Sequence, residues 1–139
     1  MQNVFDQQAI EKLSRLAERH DIRLVVLFGS RASGTAGEGS DTDIGVLFNE
    51  AAYSPSRELG FGSDVMDLLQ TGSVDVVVLD HAEPLLLKEV AASGILLYEA
   101  EPGLFNEYQI LFLKKYFEAA KFRKLAAENL EYFLKAKGA

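Results

Sequence analysis

The chain has 139 residues, enough for one domain with a single buried core that needs no staples. It contains no cysteine, which excludes disulfides, thiolate metal sites and a cysteine nucleophile together. Its formal net charge is −7, and residues 1–103 hold 17 Asp and Glu against 7 Lys and Arg. So acidic a front lacks the basic stripe that long nucleic acid requires, which argues against a template-bound polymerase. No apolar run approaches the ~18–20 residues needed to span a bilayer. The opening MQNVFD lacks the basic start and apolar core of a signal peptide, so a cytoplasmic location without membrane contact is expected.

In chain order, Asp6 is placed to cap a helix running to about His20, with Ile10, Leu13, Leu16 and Ala17 on one face. The run Ile22–Phe28 is almost continuously apolar and predicts a strand buried on both faces. A polar loop follows, with one or two helical turns after Ser30. The next strand is expected over Asp43–Phe48, and residues 49–57 read as a loop. Glu58–Gln70 is expected to be helical mainly in its second half, ending at Thr71-Gly72. Val74–Leu79 predicts a third strand. Pro84 opens a helix to about Ala92, closed by Ser93-Gly94, and Ile95–Tyr98 is a short fourth strand. His20 and His81 each stand at an element end, where His20 suits a helix C-terminus through its charge.

The chemistry concentrates in residues 28–43, FGSRASGTAGEGSDTD. Gly29 lets the backbone turn tightly and lets a ligand approach it. Ser30 adds a hydroxyl beside backbone N–H groups that, at a helix start, suit a phosphate. Arg31 is placed either to approach that phosphate or to pair with a carboxylate at the surface. Asp41 and Asp43 lie two apart, so on an extended strand they emerge from one face. Carboxylates so close repel unless a cation separates them, and their hard oxygens suit Mg²⁺ shared with substrate phosphates. A calcium loop of the EF-hand kind is excluded, because its closing Glu position is Ala52 and strands flank the segment. Asp75 lies inside the run VDVVV, where a carboxylate is costly to bury alone. If that strand runs parallel to the Asp41/Asp43 strand, the three carboxylates meet at one sheet edge. Asp80 competes for this role, but its odd spacing from Asp75 turns it to the other face, as a turn or cap residue.

Strand, Gly-Ser turn, Gly-rich spacer, Asp-x-Asp and strand in this order resemble the signature of the DNA polymerase β-like nucleotidyltransferases. Within them the chain is most similar to the minimal nucleotidyltransferases, the antitoxin half of MNT/HEPN toxin–antitoxin pairs. The resemblance covers about residues 10–99. It implies an α/β (α+β) fold with a mixed sheet of about four strands, flanking helices and a C-terminal helical extension. It implies Asp41, Asp43 and Asp75 as catalytic residues and ligands of two Mg²⁺ ions, with Mn²⁺ as a substitute, and Asp75 as the acceptor of the hydroxyl proton. Gly29, Ser30, Arg31 and Ser40 would bind the nucleotide. The implied reaction moves AMP from ATP to a hydroxyl, a tyrosine of a cognate HEPN toxin. Two other readings stand beside it: an antitoxin acting by binding alone, and an enzyme modifying a small molecule such as an aminoglycoside.

From Glu101-Pro-Gly103 onward the character changes. Residues 1–103 form the expected nucleotidyltransferase core and residues 104–139 its helical extension, where 7 Lys and Arg face 4 Glu. Leu104 to about Lys135 has neither Gly nor Pro and reads as one helix, or two with a kink. Phe105, Tyr108, Phe112, Tyr116, Ala119, Phe122, Ala126, Leu130 and Phe133 form one apolar stripe. The stripe either covers the sheet or meets a second copy or another protein.

Overall fold

The computed structural model describes residues 5–35, 37 and 41–138. Two strands form its centre, β1 (Ile22–Phe28) and β2 (Thr42–Phe48), each with all but its second residue buried. They pair antiparallel, and β3 (Val74–Val78) adds to β2 in parallel while β4 (Ile95–Glu99) adds to β1 antiparallel, giving the order β3-β2-β1-β4. The sheet is therefore mixed and four-stranded, as expected. Its two inner strands carry the most fully buried apolar runs because both of their faces are covered along their length.

Alternation along the strands sorts the helices into two layers. Ile44, Val46 and Phe48 face α1 (Gln7–Arg19) and α3 (Pro55–Leu69), in a core with Leu13, Ala17, Phe61 and Val65. On the other face Leu24, Val26, Phe28 and Leu47 meet α4 (Pro84–Ser93) and the first part of α5 (Leu104–Gly138). A single turn, α2 (Ser30–Ser33), follows β1.

Several local expectations need correction. The loop assigned to residues 49–57 ends earlier, because α3 begins at Pro55. Ser54 Oγ accepts the Arg57 N–H, and the fixed φ of Pro55 suits the first helical position, so the start signal lies three residues before Glu58. Leu79 leaves the strand for a 3₁₀ turn, Leu79–His81, and its side chain fills the space beside Gly45. Asp75 is exposed on the edge strand β3, which spares its carboxylate the cost of burial. His20 does terminate α1, and its Nε2 also meets Asp64 Oδ2 of α3 at 2.7 Å, a partner its position in the sequence did not disclose.

The C-terminal segment forms one helix of 35 residues. The Glu99 carboxylate starts it, accepting the N–H groups of Gly103 at 3.1 Å and Phe105 at 2.9 Å. Leu104, Phe105 and Phe112 are buried against α4 and the sheet, whereas every residue from Lys121 to Gly138 is exposed.

Candidate active site

Backbone register assembles the acidic edge. Phe28, the last residue of β1, lies opposite Asp43 on the antiparallel ladder, so the Gly29 turn begins beside that carboxylate. Asp75 lies opposite Asp43 on the parallel ladder, one residue into β3. The Thr42 N–H donates to the Ser73 carbonyl at 2.7 Å and locks the two strand starts together. Asp43 and Asp75 occupy the phase of Leu47 and Val77, so they emerge on the sheet face that carries α4 and α5. Asp41, exposed, directly precedes β2.

Gly29 is fixed by this packing. Its φ of 76° and ψ of −155° place it where only glycine is at ease, and a Cβ there would strike the Asp43 carboxylate. Ser30 and Arg31, both half-buried, then open α2, whose first turn has no side-chain cap. Ser33 Oγ and the Thr35 N–H both donate to the Ser30 carbonyl, which closes the turn. Gly29, Asp41, Asp43 and Asp75 are thus gathered at one edge, with Ser30 and Arg31 adjoining. Ser40, the remaining expected nucleotide contact, lies outside the described residues.

Electrostatics mark the same spot. Burial raises the Asp43 carboxyl above its ordinary value, and the negative charges of Asp75, Asp41 and Glu89 raise it further. Glu89 was not anticipated. It lies on the exposed side of α4, between buried Leu87 and Val90, and only the sheet topology shows that α4 carries it toward β2. Among the described residues, no three Asp, Glu or His side chains close around one point as a ready-made metal cage. Magnesium seldom requires such a cage, since it keeps water and substrate phosphate among its ligands. All-oxygen donors of like charge, one of them with its carboxyl raised first by burial and then by its neighbours, fit a divalent cation. Asp80 is exposed in the 3₁₀ turn beyond the opposite end of β3, away from this edge.

Gly29→Ala should uncouple fold from site. The strained backbone should cost about 1–3 kcal/mol, lowering the melting temperature by several degrees. The reaction that the site supports should slow by at least about 10²-fold, because the Asp43 carboxylate must move away from the new methyl group. Steady-state rates beside thermal melts check this, and a rate within about twofold of wild type would show that the close approach is dispensable.

Comparison with known proteins agrees with this geometry. The family described as Polymerase beta, Nucleotidyltransferase matches residues 11–102. The protein adenylyltransferase MntA of Aphanizomenon flos-aquae (strain 2012/KM1/D3) is 32% identical over 125 residues, 84% of this chain and 83% of the relative. A chain in the crystal structure of a toxin–antitoxin with AMP-PNP superposes with a TM-score of 0.72 at 22% identity, covering 88% of this chain and 98% of that one. A chain from the complex of tri-AMPylated Shewanella oneidensis HEPN toxin with MNT antitoxin gives a TM-score of 0.68 at 20% identity, covering 90% and 98%. At those identities the two structures establish the shared fold. With the family match lying over the Gly-Ser turn and all three carboxylates, the chain belongs to the polymerase β nucleotidyltransferase family, among its minimal, MntA-like members.

Proposed function

We propose that this nucleotidyltransferase moves AMP from ATP to a tyrosine hydroxyl of a cognate HEPN-type toxin and so acts as an antitoxin. The observation carrying the proposal is the pairing of Asp43 with Asp75 beside the Gly29–Ser30 turn. The 32% identity to a protein adenylyltransferase supports AMP as the group moved and a protein as the acceptor. The partner is inferred from the fold relatives, both toxin–antitoxin structures and one of them a HEPN toxin in complex with an MNT antitoxin.

In the transfer, the acceptor oxygen forms a bond to the α-phosphorus and the bond to the β-phosphate oxygen breaks, so pyrophosphate leaves. Asp41 and Asp43 are the residues to hold two Mg²⁺ ions, or Mn²⁺, with Asp75 joining on the acceptor side. When bound, such ions lower the pKa of an attacking hydroxyl and stabilise charge on the triphosphate. Gly29 and Ser30 cradle the terminal phosphates, which keeps the α-phosphorus in line with the nucleophile. Asp75, exposed at the edge, receives the hydroxyl proton.

Incubation of the protein with ATP, Mg²⁺ and a purified HEPN-type toxin from the same genome should add mass to the toxin in steps of one AMP. Tandem mass spectrometry should place the addition on tyrosine. Neutralisation of the toxin without any mass change would replace transfer by inhibition through binding alone.

A further inference from the structure

The exposed half of α5 has no role in the fold. Its apolar stripe continues the one that buries Phe105 and Phe112, through Ala119, Phe122, Ala126, Leu130 and Phe133. Phe122 is 73% exposed and Leu130 59%. The stripe repeats every three to four residues, about 3.5 on average, which is the seam spacing that one helix presents to another. An apolar seam held in water on a helix of this length is an interaction surface.

We propose that this half of α5 is an arm on which the acceptor protein docks through an apolar helical face bordered by acidic residues. The inference deepens the proposed adenylylation by assigning the surface that brings the acceptor to the site. Charge selects the occupant. Residues 114–138 carry seven Lys and Arg against three Glu. Helix phase puts Lys115, Arg123 and Lys137 along or beside the stripe with Glu118 as the one acidic neighbour, while Glu128 and Glu131 fall on the opposite side with Lys114, Lys121, Lys124 and Lys135. Glu131 is already paired with Lys135 at 3.1 Å. A second copy would therefore bring basic borders against basic borders, which disfavours self-pairing, whereas an acidic-bordered partner is attracted.

Position selects the purpose. Lys88 Nζ of α4 lies 4.7 Å from the centre of the Tyr116 ring, close to where α5 becomes fully exposed. The next residue of α4 is Glu89, whose charge reaches Asp43. The carboxylates and α5 also share one face of the sheet. A protein seated on the arm is thereby held on the catalytic side of the domain, which raises the local concentration of its hydroxyl at the site.

The test uses the full chain and a purified HEPN-type toxin from the same genome. Phe122→Ala, Leu130→Ala and Phe133→Ala together remove the seam with the residue that best preserves a helix, and far-UV circular dichroism should be unchanged. Toxin affinity should fall at least about tenfold by calorimetry. The KM for toxin should rise while kcat at saturating toxin and the affinity for ATP with Mg²⁺ stay within about twofold. Arg123→Glu should weaken binding further and reduce its salt dependence. Toxin affinity within twofold of wild type in the triple variant overturns the proposal, as does lost self-association with toxin binding intact, which would make a second copy the occupant. The two readings separate cleanly. A wild-type protein that binds toxin through the arm without transferring AMP keeps the docking surface and removes the adenylylation. Transfer that survives the triple variant with unchanged KM does the reverse.

Discussion

Asp43→Asn is expected to abolish nucleotidyl transfer, by at least about 10²–10³-fold, and at the same time to raise the melting temperature at pH 7. Both effects come from one carboxylate. Asp43 is half-buried, lies opposite Asp75 and is pressed by the charges of Asp75, Asp41 and Glu89. Its carboxyl is therefore raised above the ordinary 3.8, first by burial and then by those neighbours. A raised acid binds its proton more tightly in the folded than in the unfolded chain, so ionisation works against folding. The penalty is fully present above the folded-state value and is relieved as pH falls from that value toward the ordinary one. The stabilisation by Asp43→Asn should therefore be greatest near neutral pH and vanish on acidification toward pH 3.8. Added Mg²⁺ with ATP should stabilise the wild type and not the variant, since the cation relieves in one what the substitution has already removed in the other. Calorimetry showing the same affinity for ATP with Mg²⁺ in both proteins would remove Asp43 from the site. Melting temperatures that fall at every pH would show that its carboxylate supports the fold.

The difference between what the sequence disclosed and what it hid follows from the range of each interaction. The strand Ile22–Phe28 was legible because burial on both faces writes itself as an unbroken apolar run. The placement of the Gly-Ser turn and of Asp-x-Asp was legible because it depends on neighbours in sequence. Asp75 was legible only on the condition of a parallel strand, and the β2–β3 ladder supplies that condition. Its exposure was not, because a run of valines looks alike at an edge and in the centre of a sheet. Glu89 was hidden entirely, since one Glu on an amphipathic helix is indistinguishable from a solvated one until the helix is placed. The start of α3 was missed for a local reason. Pro55 lies inside the segment read as a loop, although after Ser54 it is a helix opener. In α5 the excess of apolar residues was visible, whereas the point at which the domain stops covering them required the fold.

Asp75→Asn should reduce transfer by about 10²–10⁴-fold, and Asp80→Asn by no more than about threefold. The two residues are five apart on one short segment, so the comparison holds composition and charge constant and varies position alone. Asp75 stands across from Asp43 on the parallel ladder and is exposed at the edge that carries the Gly29 turn. It has the geometry both to share a cation with Asp43 and to take the proton of the acceptor. Asp80 sits in the 3₁₀ turn after Val78, past the other end of the strand. There it is solvated and part of the turn, at the far end of β3 from a cation or proton at the opposite edge. Neither substitution should destabilise the fold much, as both side chains are exposed. Removing Asp75 also relieves charge around Asp43, so its carboxyl should titrate lower in Asp75→Asn, which NMR of the labelled carboxyl carbon reads directly. Asp75→Glu should restore part of the rate if proton removal dominates, and little of it if cation geometry does. Equal losses in the Asp75 and Asp80 variants would mean that catalysis does not depend on the β2–β3 register.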